Sequence, residues 1–364
     1  MKPNARERHV LPILFLIALG AMTLLTSCGG GAPVASWFGI SVGDDTVYLA
    51  ANEQVYALNL ESGAEFWAFP LEPDRLTGPF YATPFLTEDQ VVVGGFGDGK
   101  LHAIRRDGGT QDWAVETGAT IVEGAVSTDD GIIVGNGKGE VYLIESESQE
   151  KRLLLKADGA IWSMPLLDND SNRVYVAAMD HHVYAVDLES GEQLWAFDAG
   201  GALVGAPALS DGVLYFGALN STFYAVEAET AEERWRFDTD GWVWGGALVD
   251  GDTIYFGDLS GKLYALDAST GSERWTSKTE GGVRVTPLLV DDLLFFGTRE
   301  GKVYAVRASD GTQAWALSLE GPVFSQMVIE DEYLLVSPHN AKVQLVALNP
   351  ESGAERWTYP RREE

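Results

Sequence analysis

Few residues in this 364-residue chain stand at spacings that chemistry needs. The run Asp168-Asn169-Asp170-Ser171-Asn172 offers oxygen ligands of the kind calcium takes. It lacks the glycine and distal glutamate of an EF-hand loop, and its composition is that of a solvated hairpin turn. His181 and His182 are adjacent, and neighbours on a strand point to opposite faces, so they cannot share one metal. The chain has a single cysteine, Cys28, which can build neither a disulfide framework nor a cysteine metal site. No nucleophile–base pair at fixed spacing, phosphate-binding loop or dinucleotide-binding turn is present. We therefore expect no metal, no cofactor, no catalytic residues and no enzymatic activity.

Charge narrows the partners. Lys and Arg number 25 against 54 Asp and Glu, a net charge of −29. Nucleic-acid affinity rests on neutralising phosphates with Lys and Arg, so nucleic acid is excluded as the main partner. A hydrophobic content of 46 % is ample for a large core.

The N-terminus reads as a targeting segment. Lys2, Arg6 and Arg8 precede an apolar run from Val10 to Leu25, which leads into Leu25-Thr26-Ser27-Cys28. That run is about 16 residues, short of the roughly 20 that a spanning helix needs. Small residues before the only cysteine resemble the bacterial lipobox. The resemblance implies a signal peptide over residues 1–27 and lipidation of Cys28. A tether over residues 28–36 would follow, reaching about 30 Å when extended. The alternatives are an uncleaved membrane helix and a plain secretory signal.

The rest of the chain repeats about every forty residues. Trp67, Trp113, Trp195, Trp235, Trp275, Trp315 and Trp357 recur at that period, with one double gap between Trp113 and Trp195. Each repeat holds short runs rich in Val, Ile, Leu, Tyr and Phe, bounded by Gly, Asp and Ser, which is strand chemistry. Four strands per repeat describe a propeller blade, and eight repeats predict an all-β, eight-bladed propeller of four-stranded antiparallel blades over residues 37–360. Residues 361–364 form a tail.

Within a repeat, Ala57, Gly63 and Trp67 follow the pattern Ala-x5-Gly-x3-Trp, as do Ala265, Gly271 and Trp275. The fifth repeat has Ala231 for the glycine, and the third has Leu143, Gln149 and Leu153 at the three positions. The glycine allows a positive φ between the third and fourth strands, and the seven tryptophans are expected to be structural, lying between blades. The weak third blade is expected to be the least stable.

Function should lie where aligned positions differ. One position ahead of each first strand is uniformly apolar: Trp37, Phe80, Ile121, Ile161, Leu203, Val243, Val283 and Val323. The next is mixed: Phe38, Tyr81, Val122, Trp162, Val204, Trp244, Arg284 and Phe324. Tyr81, Trp162, Trp244, Arg284 and Phe324 form a candidate collar at the channel mouth, either a contact site for a ligand or partner or a plug.

The Ala-Gly-Trp spacing resembles the docking repeat of PQQ-type propellers, which are named for quinone dehydrogenases. Those enzymes carry a vicinal disulfide, and one cysteine cannot form it. Lipobox, short tether and eight such blades together resemble the BamB family of outer-membrane assembly lipoproteins. The resemblance implies a monomeric, non-enzymatic scaffold, lipid-anchored in the envelope, that serves a β-barrel assembly machine. In a cell without an outer membrane it would sit on the outer face of the cytoplasmic membrane. The alternatives are a surface lipoprotein that binds a ligand or glycan or senses the envelope and, more distantly, a PQQ-dependent oxidoreductase.

Overall fold

A computed structural model describes residues 38–73, 78–339 and 341–362. The signal, Cys28, the tether and Trp37 lie outside the described residues, as do residues 363 and 364 of the tail. Among the described residues, thirty-two strands form eight separate sheets, each of four consecutive antiparallel strands. Blade 1 runs from Gly39–Gly43 to Glu65–Phe69, and blade 2 from Phe85–Leu86 to Gln111–Glu116. Blade 3 spans Val126–Ser127 to Lys151–Lys156, and blade 4 spans Leu166–Asp168 to Gln193–Asp198. Blades 5 and 6 start at Ala208–Ser210 and Leu248–Asp250, and blades 7 and 8 at Leu288–Val290 and Val328–Glu330. The chain is the expected eight-bladed propeller.

Burial explains the strand sequences. In blade 5 the second strand, Val213–Ala218, is buried at every position. A strand covered on both sides by neighbouring blades reads as a continuous apolar run. The fourth strand, Glu233–Asp238, alternates exposed and half-buried positions because its outer edge meets water. First strands are short, and those of blades 8 and 1, of blades 1 and 2, and of blades 5 and 6 touch one another.

Antiparallel order also sorts the turns. Turns joining strands 1–2 and 3–4 of each blade lie on one side of the ring, the hairpin face. Turns joining strands 2–3, together with the blade-to-blade connections, lie on the other, the connection face.

The apolar register forms the junction cores: Phe80, Ile121, Leu203, Val243, Val283 and Val323 are fully buried. Each needs space in the preceding blade. A Cβ on Gly217 would stand 2.1 Å from Val243 Cγ1, so only glycine fits there. The ring closes by face packing. Blade 8 uses only its own strands, and Leu335, Leu345, Ala347 and Trp357 share one core with Phe38, Ile40 and Leu49 of blade 1.

Candidate functional site

Each docking tryptophan lies opposite the alanine of its own blade, as Ala57 lies opposite Trp67. Its indole, however, is seated on the following blade. Trp67 Nε1 donates to the Arg106 carbonyl at 3.0 Å, Trp235 to Ala268 at 3.0 Å and Trp275 to Ala308 at 2.9 Å. Trp357 closes the series by donating to Leu60 at 2.9 Å. In five of the seven seats the floor is the glycine turn of that next blade, Gly63, Gly109, Gly271, Gly311 or Gly353. Gly271 has φ +70°, and a Cβ there would lie 2.6 Å from Trp235 Cε3. The glycine therefore supplies both a left-handed turn and room for the indole.

Blade 3 corrects the sequence alignment. Leu153 does not occupy the docking position: it is 50 % exposed and pairs with Tyr142. Arg152 pairs with Leu143, the alanine counterpart, and so stands where the tryptophan would. Its Nη2 donates to the Leu188 carbonyl at 2.9 Å, and its Nη1 lies 3.4 Å from where a Cβ on Gly191 would be. The bulge has moved along the strand, which places Leu154 and Leu155 in the core at 4 % and 5 % exposure. The shifted bulge buries Leu154, whose counterpart Ala196 is exposed in blade 4, while Leu155 keeps the core position that Phe197 has there. The junction is thus filled by an arginine rather than left empty. On the other side of blade 3, Gln149 takes the glycine's place at φ +54°, and its own amide donates to the Ser146 carbonyl at 3.1 Å.

The mixed register packs into one cluster at the connection face, the candidate plug. Trp162, Trp244 and Phe324 pack against Val122 and Val204, which are 2 % and 3 % exposed. Phe96, Met179 and Leu219, from turns between second and third strands, join the same cluster. Arg284 is sandwiched, with its guanidinium carbon 3.9 Å from the Trp244 ring centre and 4.4 Å from that of Phe324. Burial, with the Arg299 charge second, pulls Arg284 down to about 10, so it stays cationic at neutral pH. His339 touches both Phe324 and Phe38. Burial, then the Arg284 charge, holds its imidazole below the ordinary value. Tyr81 stands apart from the other four: it packs on Phe96 and against the core shared by blades 8 and 1.

Beneath the plug is a cavity of about 130 Å³ lined by Thr83, Glu123, Met164, Arg284, Thr286 and Gln326 among others. That holds on the order of ten waters. It presents one cation and one carboxylate, suited to a small polar group. A tricarboxylate quinone does not match this lining, because Arg284 is its one cation and Glu123 would oppose the quinone's charge. Among the described residues no three His, Cys, Asp or Glu side chains group to hold a metal ion. Asp168 instead caps its own turn, accepting from Asp170 N at 3.1 Å and Ser171 Oγ at 2.5 Å. The sequence alignment singled out the collar but not its buried partners. His339 and Met179 come from turns between second and third strands, while the cavity lining Thr83, Met164, Thr286 and Gln326 lies two residues beyond Tyr81, Trp162, Arg284 and Phe324.

Comparison with known proteins agrees with this architecture. A computationally designed protein, Ika8, matches with a TM-score of 0.72 at 14 % identity, over 85 % of this chain and 96 % of that one. The crystal structure of BamB from Moraxella catarrhalis matches with a TM-score of 0.68 at 17 % identity, over 82 % and 90 %. At such identities both speak to fold alone. In sequence, the outer membrane protein assembly factor BamB of Burkholderia pseudomallei (strain K96243) is 30 % identical over 122 residues. That stretch is 33 % of this chain and 30 % of the relative, so under a third of the relative's length is spanned. The family model for outer membrane protein assembly factor BamB matches residues 29–169, 97–204, 159–280 and 233–364, overlapping stretches that run through every blade. The chain belongs to the BamB family.

Proposed function

We propose that this protein is an exported lipoprotein, anchored through Cys28, that acts as a non-enzymatic scaffold in outer-membrane protein assembly. Family membership across residues 29–364 carries the reading. The physical character of the ring supports it. Indoles bridge successive blades, and aromatic side chains of four blades pack together at the connection face. Such a body suits presenting surfaces at fixed geometry. Its strong negative charge would steer basic segments of a partner and repel acidic ones.

The test is affinity capture from detergent-solubilised envelope. A β-barrel insertase should co-purify stoichiometrically, and capture should weaken as salt rises. Its absence, or quinone-dependent oxidation of alcohols by the purified protein supplied with pyrroloquinoline quinone and calcium, would overturn the scaffold reading. Separately, Cys28→Ala should move the protein from the membrane to the soluble fraction. Retention after an alkaline wash would mean that the apolar segment itself is the anchor.

A further inference from the structure

The inner wall of the ring is nearly uncharged, and its two charges lie on opposite sides of the channel. The collar position and the two that follow it, taken over all eight blades, hold one cation, Arg284, and one carboxylate, Glu123. Elsewhere the position after the collar is small or apolar, as Ala82, Ser163, Gly205 and Gly245 are. Arg284 precedes the first strand of blade 7, and Glu123 precedes that of blade 3. In an eight-membered ring those blades are four apart, so the two charges approach the axis from opposite walls. Both line the cavity of about 130 Å³ described above, together with the hydroxyls of Thr83 and Thr286 and the amide of Gln326. Gln326 is exposed and Met164 is 39 % exposed, so water reaches the cavity.

The two groups are built for complementary ends of a ligand. Trp244 and Phe324 stack on the Arg284 guanidinium. A guanidinium donates its hydrogen bonds from its edge, in a planar fork that matches a carboxylate. Stacking on its faces holds that fork in one orientation, which lowers the entropy lost on binding. Glu123 accepts from Gly124 N at 3.2 Å through Oε2. A carboxylate has acceptor sites for several donors, and an ammonium brings three. Charge then selects the ligand. An anion meets Glu123 and a protein of net charge −29, whereas a cation meets Arg284. A zwitterion suits both walls and carries no net charge. Size narrows it further, because a space for on the order of ten waters takes a molecule of about ten non-hydrogen atoms. Opposite walls favour charges at the two ends of an extended molecule over the adjacent charges of a single α-amino acid.

We infer that the axial cavity binds a small zwitterion of dipeptide size, its carboxylate on Arg284 and its ammonium on Glu123. Affinity capture decides the scaffold reading separately, because it requires no ligand in the channel. Ligand-observed NMR titration of the purified protein compares glycylglycine with two molecules of nearly the same shape. N-acetylglycine is glycylglycine without its ammonium, and glycylglycinamide lacks the carboxylate. Glycylglycine should bind saturably at millimolar concentration, and each of the other two at least about ten-fold more weakly. Glu123→Gln should erase the preference over N-acetylglycine, and Arg284→Gln the preference over glycylglycinamide. Glu123 lies outside the aromatic sandwich, so its variant keeps the test in force if Arg284→Gln does not fold. No saturable binding of glycylglycine, equal binding of the three molecules, or an unaltered preference in Glu123→Gln would overturn the site.

Discussion

Ala231 is the position at which a single methyl group tests how the blades dock. It stands where most blades have glycine, at φ +61°, beneath Trp195. An L-residue in the left-handed region costs roughly 1–2 kcal/mol. Glycine removes that cost but adds about 0.5–1 kcal/mol of chain entropy to the unfolded state. Ala231→Gly should therefore stabilise the protein by about 0.5–1 kcal/mol. The reverse change, Gly271→Ala, meets two penalties. It adopts φ +70°, and its Cβ would lie 2.6 Å from Trp235 Cε3, so the indole must shift and strain its bond to Ala268. Left-handed strain and overpacking together predict a loss of roughly 2–4 kcal/mol. Gly212→Ala separates the two, because φ is +74° there but nothing lies within 4 Å of the added carbon. It should cost only the backbone share, about 1–2 kcal/mol. Urea unfolding followed by tryptophan fluorescence and circular dichroism would measure all three. If Gly271→Ala costs no more than Gly212→Ala, the glycine turn is not the indole's floor. If Ala231→Gly lowers stability, left-handed strain is not what that turn carries.

Three further outcomes follow from the structure. Arg152→Ala should cost about 1–3 kcal/mol by removing the bond to the Leu188 carbonyl and the packing over Gly191, whereas the exposed Leu153→Ala should stay within about 0.5 kcal/mol; in a thermal melt, the opposite ranking would restore the alignment of Leu153 with the docking tryptophans. Trp244→Ala should lower stability by about 3–5 kcal/mol, and Arg284→Ala by about 2 kcal/mol through loss of the ring sandwich; unchanged melting in both would remove the plug role. Asp180 is raised by burial but held net below 3.8 by hydrogen bonds from Tyr184, Gly159, His182 and Asp158. A depressed carboxylate contributes stability that is present above its unfolded pKa and lost as pH falls through the folded value. His339, depressed below 6.5, likewise withdraws stability as pH falls below that value. Urea titrations at pH 7, 5 and 3 should show the pH 7-to-5 loss shrink in His339→Phe and the pH 5-to-3 loss shrink in Asp180→Asn; unaltered slopes would refute these sources.

What could be read along the chain was whatever each repeat does by itself. Gly63 and Trp67 hold fixed spacing because a left-handed turn and its following strand are local geometry, and the apolar register from Phe80 to Val323 is set by one recurring slot. The failures sit where two requirements compete. In blade 3 the spacing rule chose Leu153, yet the shifted bulge buries Leu154 and turns Leu153 outward, so Arg152 took the seat. The collar was visible as a mixed column. Its closure was not, because Phe96, Met179, Leu219 and His339 reach it from a second repeating position, in the turns between second and third strands, far along the chain from the collar. Which face a charge lies on was hidden for a different reason. Acidic turns occur throughout the sequence, and only strand alternation reveals that the Asp291-Asp292 turn lies on one face while Glu280 and Lys302 pair on the other.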